Sequence, residues 1–308
     1  MKNFINISDH SSGDLRAIID EAKTRKLSRK GFNKSAPDDD KPFEGMSMAM
    51  IFEKPSTRTR MSFDIAAKQL GGSSIILNPD GIHYGKGDET LKDTAKVLTE
   101  YVDIVMLRTS SHKNLEEFGK HLDIPIINGL SDKSHPCQIM SDILTYEESN
   151  GLITGKTVSW LGDGDNNMSN SLIEAAGKFK FNLKIGCPKK YAPGKKILGW
   201  AKKNKVNLLI TQKPDEAVKN SDCVMTDKWV SMNDKVNKKT KKKVLKPFQV
   251  NKKLMKKANS NAIFMHCLPV GRGEEVTDEV IDGNQSVVWR QALNRVHAQK
   301  SIIKWCLD

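Results

Sequence analysis

The segment Pro55-Ser-Thr-Arg-Thr-Arg60 packs one proline, three hydroxyls and two arginines into six residues, between an apolar run and a stretch of helical period. A helix opening at Pro55 and Ser56 turns the unpaired N–H groups of its first turn outward, beside the hydroxyls of Ser56, Thr57 and Thr59. Arg58 adds a bidentate donor for phosphate oxygens. A helix cap needs one hydroxyl and no arginine, so these residue types point to a bound phosphate. The G-x-x-x-x-G-K-S/T spacing of a nucleotide-binding loop is absent, which favours a small phosphorylated molecule over a nucleoside triphosphate.

Other chemistry-bearing residues fall at the ends of apolar runs. Arg108 ends "DIVMLR", and "SHPCQ" (Ser134 to Gln138) follows the next run. An arginine, the imidazole of His135 and the amide of Gln138 can together polarise a carbonyl and read an amide group. "LGDGDNNMSNS" (Leu161 to Ser171) has two of the three glycines of a dinucleotide fingerprint, but Asn167 stands at the third position. A turn presenting asparagine amides to a polar substrate fits better. "TDKWVSM" (Thr226 to Met232) offers Asp227 for an ammonium and Ser231 for a carboxylate or amine. "HCLP" (His266 to Pro269) supplies a thiol, Cys267. Neighbours on a strand point to opposite faces, so His266 is not expected to activate that thiol and covalent catalysis is the weaker alternative.

The elements that must position these residues alternate. Short apolar runs at Met46–Phe52, Ser73–Leu77, Asp103–Arg108 and Pro125–Leu130 read as strands, and so do Thr157–Gly162, Asn182–Cys187, Val206–Thr211, Asp222–Thr226 and Ala262–Pro269. Helical spacing lies between them: Phe63, Ala66, Ala67 and Leu70; Leu91, Ala95, Leu98 and Val102; Leu172, Ala175, Ala176 and Phe179. Leu293, Val296, Lys300, Ile303 and Leu307 predict one long C-terminal helix. Strand–helix alternation is the signature of an α/β chain with parallel sheets, whose ligands sit beyond the carboxyl ends of the strands. The glycine-containing turn "NGLITGK" marks the boundary between two series, and two domains suggest a cleft.

A length of 308 residues fits two domains with ordinary cores. No apolar run is long enough for a membrane helix and no secretory signal is visible at the start, so the expected location is the cytoplasm. The five cysteines lack any C-x-x-C pair, which fits reduced thiols, four of them core or wall residues, and argues against a disulfide framework or a zinc site. The net charge of +13 owes much to lysines between Lys235 and Lys257. With aromatics at 6% and no nucleic-acid motif, that surplus reads as a solvated loop and a basic helix rather than a nucleic-acid surface.

The set "STRTR", "HPCQ", "DNNMSNS", "DKWVSM" and "HCLP", in this order over nearly the whole chain, resembles the aspartate/ornithine carbamoyltransferase family, and its ornithine branch more narrowly. The resemblance implies an α/β fold of two domains, each a parallel sheet flanked by helices. Residues 1–150 would bind carbamoyl phosphate, joined by a C-terminal helix over 287–308 that packs back on them, and 151–286 would bind ornithine. It implies carbamoyl transfer from carbamoyl phosphate to L-ornithine, giving L-citrulline and phosphate for arginine biosynthesis or, in reverse, catabolism. By similarity the phosphate sits on Ser56, Thr57, Arg58 and Thr59 with help from Arg108. Arg108, His135 and Thr59 face the carbonyl oxygen, while Gln138, the Leu268 carbonyl and Arg295 surround the carbamoyl group. Asn167, Asp227, Ser231 and Met232 hold the amino-acid end of ornithine, and Cys267 lies near its side-chain amine. The catalytic set so implied is Arg108, His135, Cys267 and Arg295. No metal, cofactor or nucleic acid is expected, and a homotrimer or a multiple of trimers is. The roles of Lys86 and of the lysine-rich stretch from Lys235 to Lys246 stay open. Two other readings compete, a transferase acting on another amine such as putrescine and a non-catalytic basic binding protein.

Overall fold

Nine short strands and twelve α-helices alternate in the computed structural model, which describes residues 2–78, 89–230 and 237–308. The chain divides into two compact units, one of Met1–Leu144 with Leu293–Asp308 and one of Thr145–Ala292. Both divisions fall inside a helix.

The first unit carries α1 (Ser12–Ser28), β1 (Ser47–Phe52), α2 (Thr57–Gln69), β2 (Ser73–Leu77), α3 (Leu91–Tyr101), β3 (Ile104–Arg108), α4 (His112–Lys120), β4 (Ile126–Leu130) and the start of α5 (Pro136–Asn150). Its sheet has the order β2-β1-β3-β4, and every pairing is parallel. β1 and β3 are sandwiched between helices, which is why they read as continuous apolar runs instead of alternating ones. Their side chains meet Ala95, Leu98, Leu115 and Phe118 from α3 and α4 in one core cluster. The edge strand β2 keeps Ile75 and Ile76 exposed.

The second unit holds β5 (Thr157–Leu161), α6 (Asn167–Phe179), β6 (Asn182–Gly186), α7 (Lys195–Lys203), β7 (Leu208–Thr211), α8 (Pro214–Val218), β8 (Cys223–Thr226), α9 (Lys238–Leu245), α10 (Lys252–Met255), β9 (Ile263–His266), α11 (Asp278–Ile281) and the start of α12 (Val288–Leu307). Its sheet is also wholly parallel, in the order β7-β6-β5-β8-β9. Among the described residues no helix is long and apolar enough to cross a membrane.

The C-terminal helix departs from its apolar pattern in an instructive way. Leu293, the first member of the expected stripe, is exposed, whereas Lys300 is fully buried. Its Nζ donates to both carboxylate oxygens of Asp38, at 2.6 and 2.8 Å, and to Gln69 Oε1 at 3.1 Å. Arg25 of α1 and Arg29, the residue that follows this helix, donate to the same carboxylate. A buried charge is tolerable only when paired in this manner. Burial pushes the Asp38 carboxyl up, but bonds from Lys300 and Arg29 outweigh it and hold the group below its ordinary range.

Candidate active site

Each sheet reverses its strand order once, and the chemistry-bearing residues gather at those two points. In the first sheet the reversal lies between β1 and β3, where Phe52 pairs with Arg108. The loop into α2 and the Arg108 side chain therefore leave the sheet side by side. Glu53 ties the two loops together: its N–H donates to the Arg108 carbonyl at 3.0 Å, and its carboxylate accepts from Thr109 Oγ1 at 2.6 Å and Ser110 N at 3.1 Å.

Ser56 is the N-cap of α2, in extended geometry, and its hydroxyl accepts from the Thr59 N–H at 3.2 Å. Thr59 is buried and central. Its Oγ1 accepts from Arg295 Nη2 at 2.9 Å and from Arg108 Nη1 at 3.4 Å. Arg295 Nη1 also donates to Gln138 Oε1, and Gln138 Nε2 donates to Asp142 Oδ1 at 2.8 Å. Thus Thr59, Arg108, Gln138 and Arg295, residues 236 positions apart at the extremes, form one hydrogen-bonded chain at a helix N-terminus. Arg60 is engaged elsewhere, over the Phe52 ring and on Asn78. The other arginine of the opening segment, Arg58, adds its positive charge to those that act on His135.

His135 precedes the first residue of α5 and is buried. Burial, reinforced by the positive charges of Arg295, Arg108 and Arg58, holds its imidazole well below the usual range. The site therefore favours the neutral ring, which offers a hydrogen bond while the arginines supply the positive charge.

In the second sheet the order reverses between β5 and β8, where Leu161 pairs with Thr226, and Thr226 pairs in turn with His266 of β9. The segments that lead to Asn167, Asp227 and Cys267 leave from these three strand ends. Asn166 caps α6, accepting from Ser169 N at 2.9 Å, which leaves Asn167 as the first helical residue. Gly162 has φ +116°, and a side chain there would press on the Trp229 ring at 3.0 Å. Its glycine therefore serves a tight turn against Trp229, not a pyrophosphate.

Cys267 Sγ donates to Asp227 Oδ1 at 3.1 Å, and the same oxygen accepts from Lys228 N at 2.7 Å. Asp227, His266 and Cys267 place their ligand-type atoms within 4.8 Å of one another. The strand-alternation argument that set His266 and Cys267 apart fails here, because β9 ends at His266 and the chain turns. The His266 Nδ1 accepts from Leu268 N at 2.8 Å, and the thiol donates to Asp227. The other four cysteines are buried, and burial pushes Cys137 up to about 12 and Cys187 up to about 11.

Ser231, Met232, Lys86 and Lys235 lie outside the described residues. Within the lysine-rich stretch, Lys241 departs from the expected solvated surface: it is buried, with Nζ 2.6 Å from Asp163 Oδ2 and 5.2 Å from the Tyr191 ring centre. Lys242 pairs with Glu274. The signal available in sequence was the buried Leu245 four residues after Lys241, which puts both on one helix face. Neither Glu53 nor Asp163 carried a sequence signal of its own.

Comparison with known proteins also divides the chain in two near residue 150, with the C-terminal helix counted in the second part. Residues 2–148 match the family model "Aspartate/ornithine carbamoyltransferase, carbamoyl-P binding domain", and residues 154–306 match "Aspartate/ornithine carbamoyltransferase, Asp/Orn binding domain". The chain is 49% identical over 308 residues to a protein of Brucella ovis named ornithine carbamoyltransferase, covering all of this chain and 96% of that one. Among solved structures, ornithine carbamoyltransferase from Pyrococcus furiosus superposes with a TM-score of 0.91 at 41% identity, covering 98% of this chain and 96% of that one. The enzyme of the same name from Burkholderia thailandensis gives 0.89 at 37% identity, over 100% and 99%.

Proposed function

The chain belongs to the aspartate/ornithine carbamoyltransferase family, and from that premise we propose that it transfers the carbamoyl group of carbamoyl phosphate to the side-chain amine of L-ornithine, releasing L-citrulline and phosphate. The observation that carries the donor half is the hydrogen-bonded chain of Arg108, Thr59, Arg295 and Gln138 at the N-terminus of α2. Attack by an amine on the carbamoyl carbon builds negative charge on the carbonyl oxygen and on the departing phosphate. Ser56, Thr57, Arg58 and Thr59 receive the phosphate. Arg108, Thr59 and neutral His135 donate to the carbonyl oxygen, and Gln138, Arg295 and the Leu268 carbonyl hold the carbamoyl group. Fixing the donor in this manner also removes orientational freedom before attack.

For the acceptor, Asp227 takes the α-ammonium, with Asn167, Ser231 and Met232 around the amino-acid end and Cys267 beside the attacking amine. Direct attack requires that amine neutral. A free alkyl ammonium loses its proton near pH 10.4, so turnover rises through the alkaline range. His135 adds no inflection near 6.5, being neutral already.

Exposed Met61, Ile75, Ile76, Val97 and Tyr101, spread over α2, the edge strand β2 and α3, support association through the first unit, as a homotrimer or a multiple of trimers. Light scattering on the purified protein tests this. Five free thiols fit a reducing compartment, which supports a cytoplasmic location. The activity is tested by citrulline formation from carbamoyl phosphate and L-ornithine, with putrescine, N-acetylornithine and aspartate in parallel. Turnover with ornithine alone is the expected result; turnover with another amine would overturn the roles of Asp227 and Asn167.

A further inference from the structure

Leu268 has φ +59°, the left-handed region that a leucine rarely adopts, so its surroundings must hold it there. The residue two positions earlier supplies the hold. His266 is fully buried, and its Nδ1 accepts the Leu268 N–H at 2.8 Å. A ring nitrogen that accepts a backbone N–H carries no proton, which puts the imidazole proton on Nε2. Nε2 lies 3.2 Å from Oε1 of Glu275, whose side chain is also fully buried. The same carboxylate oxygen accepts from Gly271 N, further along the turn, and the His266 N–H donates to Gln291 Oε1 at 2.9 Å.

We propose that Glu275 and His266 are positioning residues for the transfer reaction: Glu275 fixes the Nε2–H tautomer of His266, and His266 Nδ1 fixes the Leu268 peptide so that its carbonyl is aimed at the carbamoyl group. Neither side chain touches substrate. The proposal rests on the assignment of the Leu268 carbonyl to the carbamoyl group.

Two substitutions at one position separate positioning from bulk. In His266→Asn the amide oxygen can stand where Nδ1 stood and still accept from Leu268, whereas in His266→Gln the longer amide reaches the Nε2 position and Leu268 loses its acceptor. Both discard the buried ring, so a merely structural role would lower the urea midpoint and the activity in step for the two. The expected result is a Leu268 amide that stays protected from hydrogen exchange, followed by NMR, in His266→Asn and exchanges faster in His266→Gln. Citrulline formation should fall on the order of 100-fold in His266→Gln, as misplacement of a reacting group by about an ångström does, and markedly less in His266→Asn. Glu275→Leu, which removes the partner that selects the tautomer, should follow His266→Gln in both readouts. Equal activity loss in the two His266 variants, or an unchanged Leu268 amide in His266→Gln, would overturn the proposal. A wild-type protein that makes no citrulline would sink the functional assignment instead, and the exchange measurement, which needs no turnover, would still decide whether His266 sets the turn.

Discussion

The two units carry very different net charge. Residues 145–292 carry 27 lysines and arginines against 15 aspartates and glutamates, while the rest of the chain carries 23 against 22. Almost all of the surplus positive charge thus belongs to the unit proposed to take the amino acid, and the unit proposed to take the phosphorylated donor is nearly neutral. What binds an anion is not net charge but aimed donors. In the first unit Arg108 and Arg295 converge on one hydroxyl at a helix N-terminus. In the second, apart from Lys241 and its partner, the lysines stand mostly on the surface, where each contributes little to binding or to stability.

The largest effect expected from this contrast is at Arg58. Arg58→Ala should lower kcat/KM for carbamoyl phosphate on the order of 1000-fold, in the range seen when a transition-state donor is removed. Steady-state citrulline assays read this; a variant within a few-fold of wild type would place the phosphate elsewhere. Next comes Asp227→Asn, which should raise KM for ornithine about 10- to 100-fold, the equivalent of one hydrogen bond to a charged group, while KM for carbamoyl phosphate holds. Equal movement of both constants would show that the two substrates are not divided as proposed.

Stability effects are smaller. Lys300→Met removes the amine but leaves Asp38 with Arg25 and Arg29, so urea unfolding should show a loss of about 2 kcal/mol. The buried His297 gives a pH signature. Burial, aided by Lys300 and Lys26, lowers its value to about 3. Between that value and about 6.5 the unfolded chain binds one more proton than the folded one, so stability falls as pH falls, by about 1.4 kcal/mol per pH unit for this ring. His297→Gln should flatten the slope by that amount in unfolding curves taken at pH 6, 5 and 4. Smallest of all, replacing the exposed Lys202, Lys203, Lys252 and Lys253 with glutamine should leave KM for carbamoyl phosphate unchanged and shift stability by no more than about 0.5 kcal/mol. A clear loss of donor affinity there would mean that the surplus charge does serve the substrate.

Much of the fold was legible because parallel strands buried on both faces announce themselves as short apolar runs, and β1, β3, β5 and β8 all fall within the runs that suggested them. The helix faces of Phe63–Leu70 and Leu172–Phe179 were visible for the same reason of period. The hydroxyls and arginines beside Phe52 stood out because no structural duty needs so many in so few residues. What stayed hidden were pairings between distant polar residues. Nothing at Asp38 announces Lys300, nothing at Asp163 announces Lys241, and Glu275 looks like one more surface acid until His266 is placed beside it. Periodicity reports which face is buried, not which charge waits there.

The pairing of Phe52 with Arg108 also sets how this chain can be damaged. Successive strand residues are about 3.3 Å apart and alternate in face. One codon inserted or deleted between Met48 and Phe52 would leave nearly every residue type intact. It would nonetheless move the hydroxyl-and-arginine segment one step along β3 and turn its neighbours over. Lineages descending from this sequence should therefore tolerate many exchanges of one apolar residue for another in β1 and β3, while changes of length there are purged.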